Sequence, residues 1–384
     1  MKMLTACTYE MDDPNLAVAE ILRQLDLEHT LCRNAVGIMH CFSDFVSSGV
    51  IRAVCDALPF DVVGTTGMEV SVSGEIGPMM LNLTVLTSDD VEFAACTTGH
   101  IEKLNMELIR HVYHEAYTRL SSAPALMLVY APLNSDIGEH ILGVLDEESK
   151  RIPIFGMVAT DSNGDYHDIY TIFNGVCDRD AMSIVLMSGN VHPRFFMTSI
   201  RDEKIQGQGA LITKSEKNIV HEVNGRSFLE YLESFGISKG KGLEGIAAIP
   251  FLINNHDGTA PLARVVYRME ENGSGVFGCD MPEGATLTIG SLDYEDVRNT
   301  AHSIITEVME KEKNASGMLI YPCVSRAYVL GTDPDAEFRV VGEAINGRLP
   351  YTICYAGGEI CPQYRPEGGL INRFHNFTFV VCIL

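Results

Sequence analysis

The chain has 384 residues, of which 46% are hydrophobic and 21% charged, a balance typical of a folded globular protein and not of a disordered one. Its formal charge of −23 argues against nucleic acid and anionic membranes as partners, because both are bound largely through Lys and Arg. No apolar run approaches the roughly 20 residues that span a bilayer, and the acidic start MKMLTACTYEMDDP lacks a signal-peptide core, so we expect a cytoplasmic protein.

The first half of the chain alternates helix and strand patterns. Asp13 and Pro14 predict the start of a helix that runs to Leu25, because a capping acid before Pro at the first helical position is a helix-start signal. A strand at 35–42 is followed by a predicted helix from residue 43 or 44 to 58, which Pro59 ends. A long helix is predicted over 101–120, and the segment from 125 to about 200 repeats the order of strand, helix and strand.

The second half begins at the glycine-rich segment 206–210, where we place a boundary between a domain at 1–205, which holds two internal repeats, and a domain at 206–384. Four alternating segments between 246 and 290 predict an antiparallel sheet. Helices to residue 311 and over 335–346 then alternate with strands at 317–321, 351–355 and 371–384. The expected fold class is α/β to α+β, with repeated strand–helix–strand units, mixed sheets and two domains.

Three segments share one order of strand, small-residue hinge and acid. They are VVGTTGME at 62–69, IFGMVATD at 154–161 and YTICYAGGE at 351–359. Gly156 follows Gly64 by 92 residues, which relates the first two segments. Such self-similarity predicts duplicated structural units.

The first and last of these segments are related by a constant spacing. Glu359 follows Glu69 by 290 residues, and Asn372 follows Asn82 by the same number. We therefore predict that the three units superpose and place Glu69, Thr160 or Asp161, and Glu359 at equivalent turns. The small residues of each hinge let a ligand approach the backbone.

Five segments, in order, resemble the FIST family, in which an N-terminal and a C-terminal FIST domain occur in tandem. They are VGTTGME, IFGMVATD, LITKSEKN with HEVNGR, YPC followed by Arg326, and AGGEI followed by NRFHNFT. The resemblance spans nearly the whole chain and implies a sensory input domain that binds a small ligand, with amino acids as the usual proposal. It also implies a signalling partner such as a histidine kinase, a cyclase or a chemotaxis protein. Tyr321-Pro-Cys323 lacks the family's usual Ser, and the first turn is one residue short, so the ligand chemistry could differ from that of relatives.

Polar residues at the hinges and near the chain end are the candidate ligand-binding residues. An Arg close to an acid can hold a zwitterion, because a guanidinium pairs with a carboxylate and a carboxylate accepts from an ammonium group. We predict a pocket beside the terminal unit, and the competing interpretation is that its arginines only pair with Glu359. The candidates are Arg326, Glu359, Arg373 and Asn376 for that pocket, joined by Thr65, Thr66, Glu69, Thr160 and Asp161.

Two other function classes stay open. Some relatives bind haem and sense nitric oxide, so a haem sensor is the first alternative, and no other cofactor is expected. A hydrolase or thiol enzyme is the second, and Cys323, His375 and Glu359 would form its Cys/His/acid set. No P-loop, nucleophile elbow, dinucleotide fingerprint or strong metal spacing occurs, so we expect no catalytic residue and no metal site. His111 and His114 share a helix face and could hold a metal together with Glu107 or Glu115, but the zinc-protease order is absent and we favour a solvated helix face.

Overall fold

The computed structural model describes residues 1–68, 70–77, 79–101, 105–133, 138–161, 166–238 and 243–384. Short 3₁₀ segments lie at Asp202–Lys204 and Leu243–Ala248. The helices are α1 Pro14–Leu25, α2 Leu27–Thr30, α3 Phe45–Ser48, α4 Val50–Asp56, α5 Met106–Thr118, α6 Gly138–Ser149, α7 Phe228–Glu233, α8 Tyr294–Lys311, α9 Val324–Leu330 and α10 Ala336–Ile345. The strands are β1 Lys2–Thr8, β2 Asn34–Cys41, β3 Val62–Thr66, β4 Val70–Val72, β5 Glu75–Gly77, β6 Leu81–Ser88, β7 Val91–Thr97, β8 Pro124–Ala131, β9 Ile154–Val158, β10 Thr171–Phe173, β11 Val176–Asp178, β12 Ser183–Gly189, β13 Arg194–Thr198, β14 Ile205–Glu216, β15 Ile219–Val223, β16 Arg226–Ser227, β17 Phe251–Asn254, β18 Leu262–Arg264, β19 Val266–Met269, β20 Gly275–Phe277, β21 Thr286–Gly290, β22 Met318–Pro322, β23 Tyr351–Cys354, β24 Gly358–Tyr364, β25 Leu370–His375 and β26 Phe379–Ile383.

Three units of the chain repeat one order of strand, helix, strand, hairpin and strand. The first unit is β2, α3–α4, β3, β4–β5 and β6; the second is β8, α6, β9, β10–β11 and β12; the third is β22, α9–α10, β23, β24–β25 and β26. In each unit the first two strands pair in parallel, and the last strand pairs antiparallel with the first. The predicted repeated units and mixed sheets are therefore confirmed.

Each hairpin leaves its own unit and completes the sheet of another. The strand orders are β1-β6-β2-β3-β10-β11, β25-β24-β9-β8-β12-β7 and β13-β26-β22-β23-β4-β5. The first hairpin thus joins the third unit, the second joins the first unit, and the third joins the second unit. This cyclic exchange interlocks residues from both ends of the chain, so none of the three six-stranded sheets comes from one unit alone.

Strand register defines the equivalent residues of the three units. Gly64 pairs with Met39 and Gly156 pairs with Val129, each across the parallel strands of its unit. A Cβ atom on Gly64 would lie 1.8 Å from the Met39 carbonyl oxygen, and one on Gly156 would lie 1.9 Å from that of Val129. The two glycines share one close backbone contact, and the predicted 92-residue relation is confirmed.

The prediction that residues 290 positions apart are structurally equivalent is wrong for Asn82 and Asn372. Asn82 lies in β6, the last strand of the first unit, whereas Asn372 lies in β25, the second strand of a hairpin. Glu359 faces Met157 of β9, and the residue in the same register position of the first unit is Val70, which faces Cys354. Glu69 lies outside the described residues.

Several predicted element bounds also need correction. The helix expected over 44–58 is two helices, α3 and α4, because Gly49 between them adopts a left-handed φ of 83°. The terminal strand expected over 371–384 is broken at residues 376–378, where Phe377 has a φ of 52°. Helix α9, which carries Arg326, and strand β1 were not predicted, and α5 begins at Met106 instead of 101.

Residues 205–290 form a separate antiparallel sheet, which confirms the antiparallel sheet predicted between 246 and 290 and extends it by β14, β15 and β16. Its strand order is β18-β17-β21-β14-β15-β20-β19, with β16 beside β15. Phe228 of α7 packs against Phe251 and Phe277 of the sheet, with ring centroids 5.7 and 5.4 Å apart, and anchors its core. Strand β19 brings Tyr267 towards the third unit. No helix of the described residues is long and apolar enough to cross a membrane.

Candidate ligand site

The site lies where β24 crosses into the sheet of the second unit. Glu359, the second residue of β24, faces Met157 of β9 on one side and His375 of β25 on the other. Its side chain is fully buried. One carboxylate oxygen, Oε2, accepts from the Thr378 amide at 3.2 Å, while Oε1 has no hydrogen-bond partner among the described residues. Among the described residues, this buried carboxylate is therefore hydrogen-bonded through one of its two oxygens only.

Asn376 lies in the break between β25 and β26. The chain turns there because Phe377 adopts a left-handed backbone conformation, which is uncommon for a bulky residue and is often found at functional sites. The Thr378 hydroxyl bonds to the Asn376 carbonyl at 2.9 Å and fixes the turn. The Asn376 side chain is fully buried, yet neither its amide oxygen nor its amide nitrogen has a partner in the described part of the chain.

Cys323 stands beside Glu359 at the start of α9. Its thiol lies close enough to lower the pKa of the Glu359 carboxyl, against the larger effect of burial. Burial raises the pKa of Glu359 well above its ordinary range, and Cys323, Thr378 and the Arg326 charge oppose this shift only in part. Burial and the Glu359 charge likewise raise the pKa of the Cys323 thiol well above its ordinary value. Both groups thus favour their protonated forms.

Three half-buried tyrosines, Tyr166, Tyr267 and Tyr328, lie beside these polar groups. The hydroxyls of Tyr166 and Tyr328 lie 2.8 Å apart, and the Tyr166 ring meets the Tyr267 ring at a centroid distance of 6.3 Å. A Cβ atom on Gly278 would lie 3.2 Å from both the Tyr267 hydroxyl and the Asn376 Oδ1 atom, so these two groups are neighbours. Tyr166 also has a left-handed φ of 62°. Besides burial, the charge of Glu359 raises the pKa of Tyr267 and the charge of Cys323 raises the pKa of Tyr166 and Tyr328, so the three rings, here called the tyrosine wall, lie beside the buried acid.

Arg326 is paired with Glu337 and not with Glu359. The Arg326 Nη2 atom donates to Glu337 at 2.6 Å, to the Thr300 hydroxyl at 2.9 Å and to the Val297 carbonyl at 3.1 Å. Arg326 and Glu337 are both fully buried. The pair braces α9 against α8 and α10. The competing interpretation, in which Arg326 pairs only with Glu359, is wrong.

Arg373 pairs with Asp257 of the 205–290 segment. The Arg373 side chain is 12% exposed and that of Asp257 28%, so this pair lies nearer the surface than the Arg326 pair. On β25, Arg373 faces Cys361, two residues beyond Glu359 along β24. Arg373 therefore links the third unit to the antiparallel sheet at the side of the site.

The hinge of the second unit contributes Thr160 and Asp161. Both are fully buried, and the Thr160 hydroxyl has no partner among the described residues. Asp161 accepts from the His167 amide at 3.0 Å, and its charge adds to burial in raising the pKa of Tyr328. Asp161 thus lies beside the tyrosine wall, as a member of the same site.

The hinge of the first unit is placed elsewhere. The Thr66 hydroxyl donates to the Thr160 carbonyl at 2.8 Å and accepts from the Tyr170 amide at 2.9 Å, so Thr66 supports the second hinge. Thr65 bonds to His40 Nδ1 at 3.0 Å inside the core. Glu69 lies outside the described residues. Of the nine predicted residues, the structure brings Glu359, Asn376, Thr160 and Asp161 to the tyrosine-walled site.

A second buried polar cluster occupies the centre of the three units. His40, Tyr130 and Tyr321 are in equivalent register positions of β2, β8 and β22 and are fully buried. The Tyr321 hydroxyl lies 3.2 Å from His40 Nε2 and 3.0 Å from the Tyr130 hydroxyl. Burial lowers the pKa of His40 to about 3, so this imidazole is neutral. Every polar atom named here has a partner, and the cluster is structural.

The set proposed for a thiol enzyme is assembled only in part. Cys323 and Glu359 are adjacent, but His375 Nε2 lies 3.0 Å from the Cys361 carbonyl oxygen. Burial lowers the pKa of His375 to about 3. A base is needed to form the thiolate nucleophile, and here the imidazole is bound to the backbone.

Two groups of titratable side chains lie at the surface. His114 pairs with Glu148 at 2.8 Å on the exposed face of α5, as predicted for a solvated helix. Ligand atoms of His100, Asp178 and Asp180 lie within 4.8 Å of one another at a partly exposed position. The sequence did not predict the group of His100, Asp178 and Asp180, because His100 is far from the two aspartates along the chain.

Sequence reasoning also missed the tyrosine wall. Tyr166, Tyr267 and Tyr328 come from three segments with no common spacing, and only the fold brings them together. The one available signal was that Tyr166 and Tyr328 follow predicted site residues closely.

The fold defines a mixed α/β protein of three hairpin-exchanging units with an added antiparallel sheet. The FIST N domain matches residues 35–226 and the FIST C domain matches residues 227–362, so the chain belongs to the FIST family. FIST domains are sensory domains of signal transduction. The two matches meet at residue 226, and the domain boundary near 205 stays a prediction.

Other comparisons add no functional argument. No curated protein matches the chain. Solved structures of Thermotoga maritima PurL complexed with FGAR and with ATP align at 10% identity over 100% of this chain and over 72% and 70% of theirs. Their TM-scores of 0.20 and 0.21 are too low to indicate a shared fold.

Proposed function

We propose that the chain is the ligand-binding sensory domain of a signalling protein and that a small polar molecule binds between Glu359, Asn376 and the tyrosine wall. One observation carries this proposal. Glu359 Oε1, both polar atoms of the Asn376 amide and the Thr160 hydroxyl are all buried without a hydrogen-bond partner in the described chain. Leaving such a group unsatisfied costs about 1–3 kcal/mol, so a site that keeps several of them is built to be completed by a ligand.

The proposed ligand class is an amino acid or a related small metabolite. The site offers a carboxyl, a primary amide, hydroxyls and a thiol, which suit a compact molecule with several polar groups. Arg326 lowers the pKa of Glu359 through its charge, and its Nη1 atom has no partner among the described residues. Arg326 is therefore the proposed contact for an acidic group of the ligand, although its main role is to pair with Glu337.

The position of the site supports a sensory role. Asn376 and Cys323 belong to the third unit, Thr160 to the second, and Tyr267 to the antiparallel sheet. A ligand that contacts all of them would stabilise one relative arrangement of these elements. Binding can shift an equilibrium between arrangements only through such differential contacts. A partner such as a histidine kinase, a cyclase or a chemotaxis protein would read that arrangement.

The two alternatives lack a supporting observation. His40 hydrogen-bonds through both ring nitrogens and His375 through Nε2, so the Nε2 atoms of these two buried imidazoles are already used by protein groups. For a thiol enzyme, burial holds the Cys323 proton on sulfur, and a nucleophilic cysteine needs a lowered pKa.

A thermal-shift screen tests the proposal. The full chain is heated with each of the common amino acids and with other small polar metabolites, because a ligand that binds only the folded state raises the melting temperature. We expect one chemical class to stabilise the wild type and to lose its effect in Asn376→Ala. The matched control is Glu367→Gln, an exposed change at the tip of the β24–β25 hairpin. An equal shift in Asn376→Ala and in the wild type would contradict the proposed site.

A further inference from the structure

The acceptors around Glu359 indicate which group of the ligand binds there. Glu359 Oε1 and Asn376 Oδ1 are buried acceptors with no partner among the described residues. The half-buried Tyr267 hydroxyl donates to the Gly357 carbonyl at 3.5 Å and can still accept a hydrogen bond. It is the third acceptor, because it and Asn376 Oδ1 lie within 3.2 Å of one point beside Gly278. Thr378 holds the first two together by donating its amide to Glu359 and its hydroxyl to the Asn376 carbonyl. One side-chain cluster thus presents three oxygen acceptors.

The charge of the site favours a cation. Glu359 and Asp161 bring two carboxyl groups, while Arg326 is neutralised by its buried pair with Glu337. An anionic group could bind beside Glu359 only while that carboxyl keeps its proton, whereas a cation can form an ion pair with the ionised carboxylate in a region of low dielectric, where the attraction is strong. A primary ammonium group has three N–H donors and one positive charge, which matches three acceptors and a carboxylate.

We propose that the ligand carries a primary ammonium group that binds Glu359, Asn376 and Tyr267, and that its binding displaces the proton of Glu359 into solvent. This inference rests on the proposed function and specifies the ligand group at that site. The step is balanced: the protonated carboxyl and the ammonium ion give a carboxylate–ammonium pair and one free proton. The new ion pair would lie beside the tyrosine wall.

The proton balance follows from the surroundings of Glu359. Burial raises the pKa of Glu359 most strongly; Cys323, the Thr378 amide and the Arg326 charge lower it by smaller amounts, and the Glu337 charge adds a minor rise. The free site therefore retains a proton at pH values where an exposed glutamate has lost it. The titratable or charged groups that face Glu359 are Cys323, Arg326, Glu337, Tyr267, Cys361 and His375.

This linkage sets the expected pH dependence. Below the free-site pKa of Glu359, the ammonium ion competes with a proton for the same carboxylate. Affinity should therefore rise about tenfold for each pH unit, as long as the ligand amine stays protonated. About one proton should be released for each ligand bound.

The experiment is isothermal titration of the full chain with matched amine and hydroxyl probes: L-alanine against L-lactate, ethanolamine against ethylene glycol, and putrescine against 1,4-butanediol. We expect at least one amine to bind at least about tenfold more tightly than its hydroxyl partner, the usual scale of a charge-assisted hydrogen bond. Titrations between about pH 6 and pH 8 in two buffers of different ionisation enthalpy measure the slope and the proton release.

Variants separate the possible outcomes. Glu359→Gln keeps the shape of the side chain and should abolish the pH slope, while the exposed control Glu367→Gln should retain it. If Glu359→Gln does not fold, the pH dependence of affinity and the proton release of the wild type still test the ammonium inference. A hydroxyl probe that binds as tightly as its amine, with no pH slope, would overturn the ammonium inference and leave the ligand-binding function standing. If no probe of any pair binds at millimolar concentration and the metabolite screen is also negative, the proposed function itself fails.

Discussion

Asn376 offers the sharpest mutational test, because its side chain is buried at 0% exposure and has no hydrogen-bond partner in the described structure. Replacing Asn376 by Ala removes an amide that the ligand-free protein does not use. Asn82 is an equally buried residue whose amide is fully used: it accepts from the His40 amide at 3.2 Å and donates to Ser71 and Thr352 at 3.3 and 3.2 Å. Asn82→Ala is therefore the matched control.

The two variants should differ clearly in stability. Asn82→Ala leaves buried partners unsatisfied, at a cost of about 1–3 kcal/mol for each group. Asn376→Ala leaves no partner unsatisfied and relieves a desolvation cost of the same size, which offsets the small loss of packing. We expect Asn376→Ala to lie within about 1 kcal/mol of the wild type, and Asn82→Ala to be at least about 2 kcal/mol less stable.

Urea unfolding, followed by circular dichroism without ligand, measures both variants. The reasoning predicts that Asn376→Ala keeps the wild-type midpoint and loses ligand binding. Equal losses of stability in Asn376→Ala and Asn82→Ala would refute it, because the Asn376 amide would then hold the fold together and would not be reserved for a ligand.

Other variants test separate parts of the structure. Arg326→Met strands a fully buried carboxylate and should lower the free energy of unfolding by about 3–5 kcal/mol in urea. Arg373→Ala removes a pair nearer the surface and should cost less, about 1–3 kcal/mol. Burial lowers the pKa of His40 to about 3, so its contribution to stability is complete above its unfolded pKa and is lost as the pH falls towards 3. His40→Gln should therefore reduce the slope of stability against pH by up to about 1.4 kcal/mol per unit between about pH 4 and 6, measured by urea melts across that range. Gly64→Ala would place Cβ 1.8 Å from the Met39 oxygen and should prevent native folding, as judged by near-ultraviolet circular dichroism; a native spectrum would contradict the proposed close contact.

The sequence predicted the elements that have strong local signals. Helix α1 begins where Asp13 caps the Asn15 and Leu16 amides, and α8 begins at a capping box formed by Asp293 and Asp296. Such signals lie within a few residues and can be read without tertiary structure. Helix α9 has seven residues and no side-chain cap, which explains why it was missed.

The hairpin exchange could not be predicted, because it depends on pairing between distant segments. Strand β24 pairs with β9, and β4 pairs with β23, although long stretches of chain separate them. The constant spacing of Asn82 and Asn372 suggested a structural repeat. However, Asn82 lies in the last strand of its unit, and Asn372 lies in the hairpin of its unit. A match of two residue types carries no information about strand pairing.

The candidate site was predictable only where its residues follow family-like motifs. Glu359 and Asn376 lie in segments that resemble FIST motifs, and both reach the site. Arg326 also matches a motif, but its partner is Glu337, a helix residue that no pattern singled out. The tyrosines come together through β19, α9 and the second hinge, which are adjacent only in the folded protein.

A crystal structure with the compound that most raises the melting temperature tests the central claim most directly. The account predicts ligand density bounded by Glu359, Asn376 and Tyr267, with hydrogen bonds to the Glu359 carboxylate and the Asn376 amide. Density confined to another place, such as the surface groove lined by Tyr113, Tyr117 and Ile152, would contradict it.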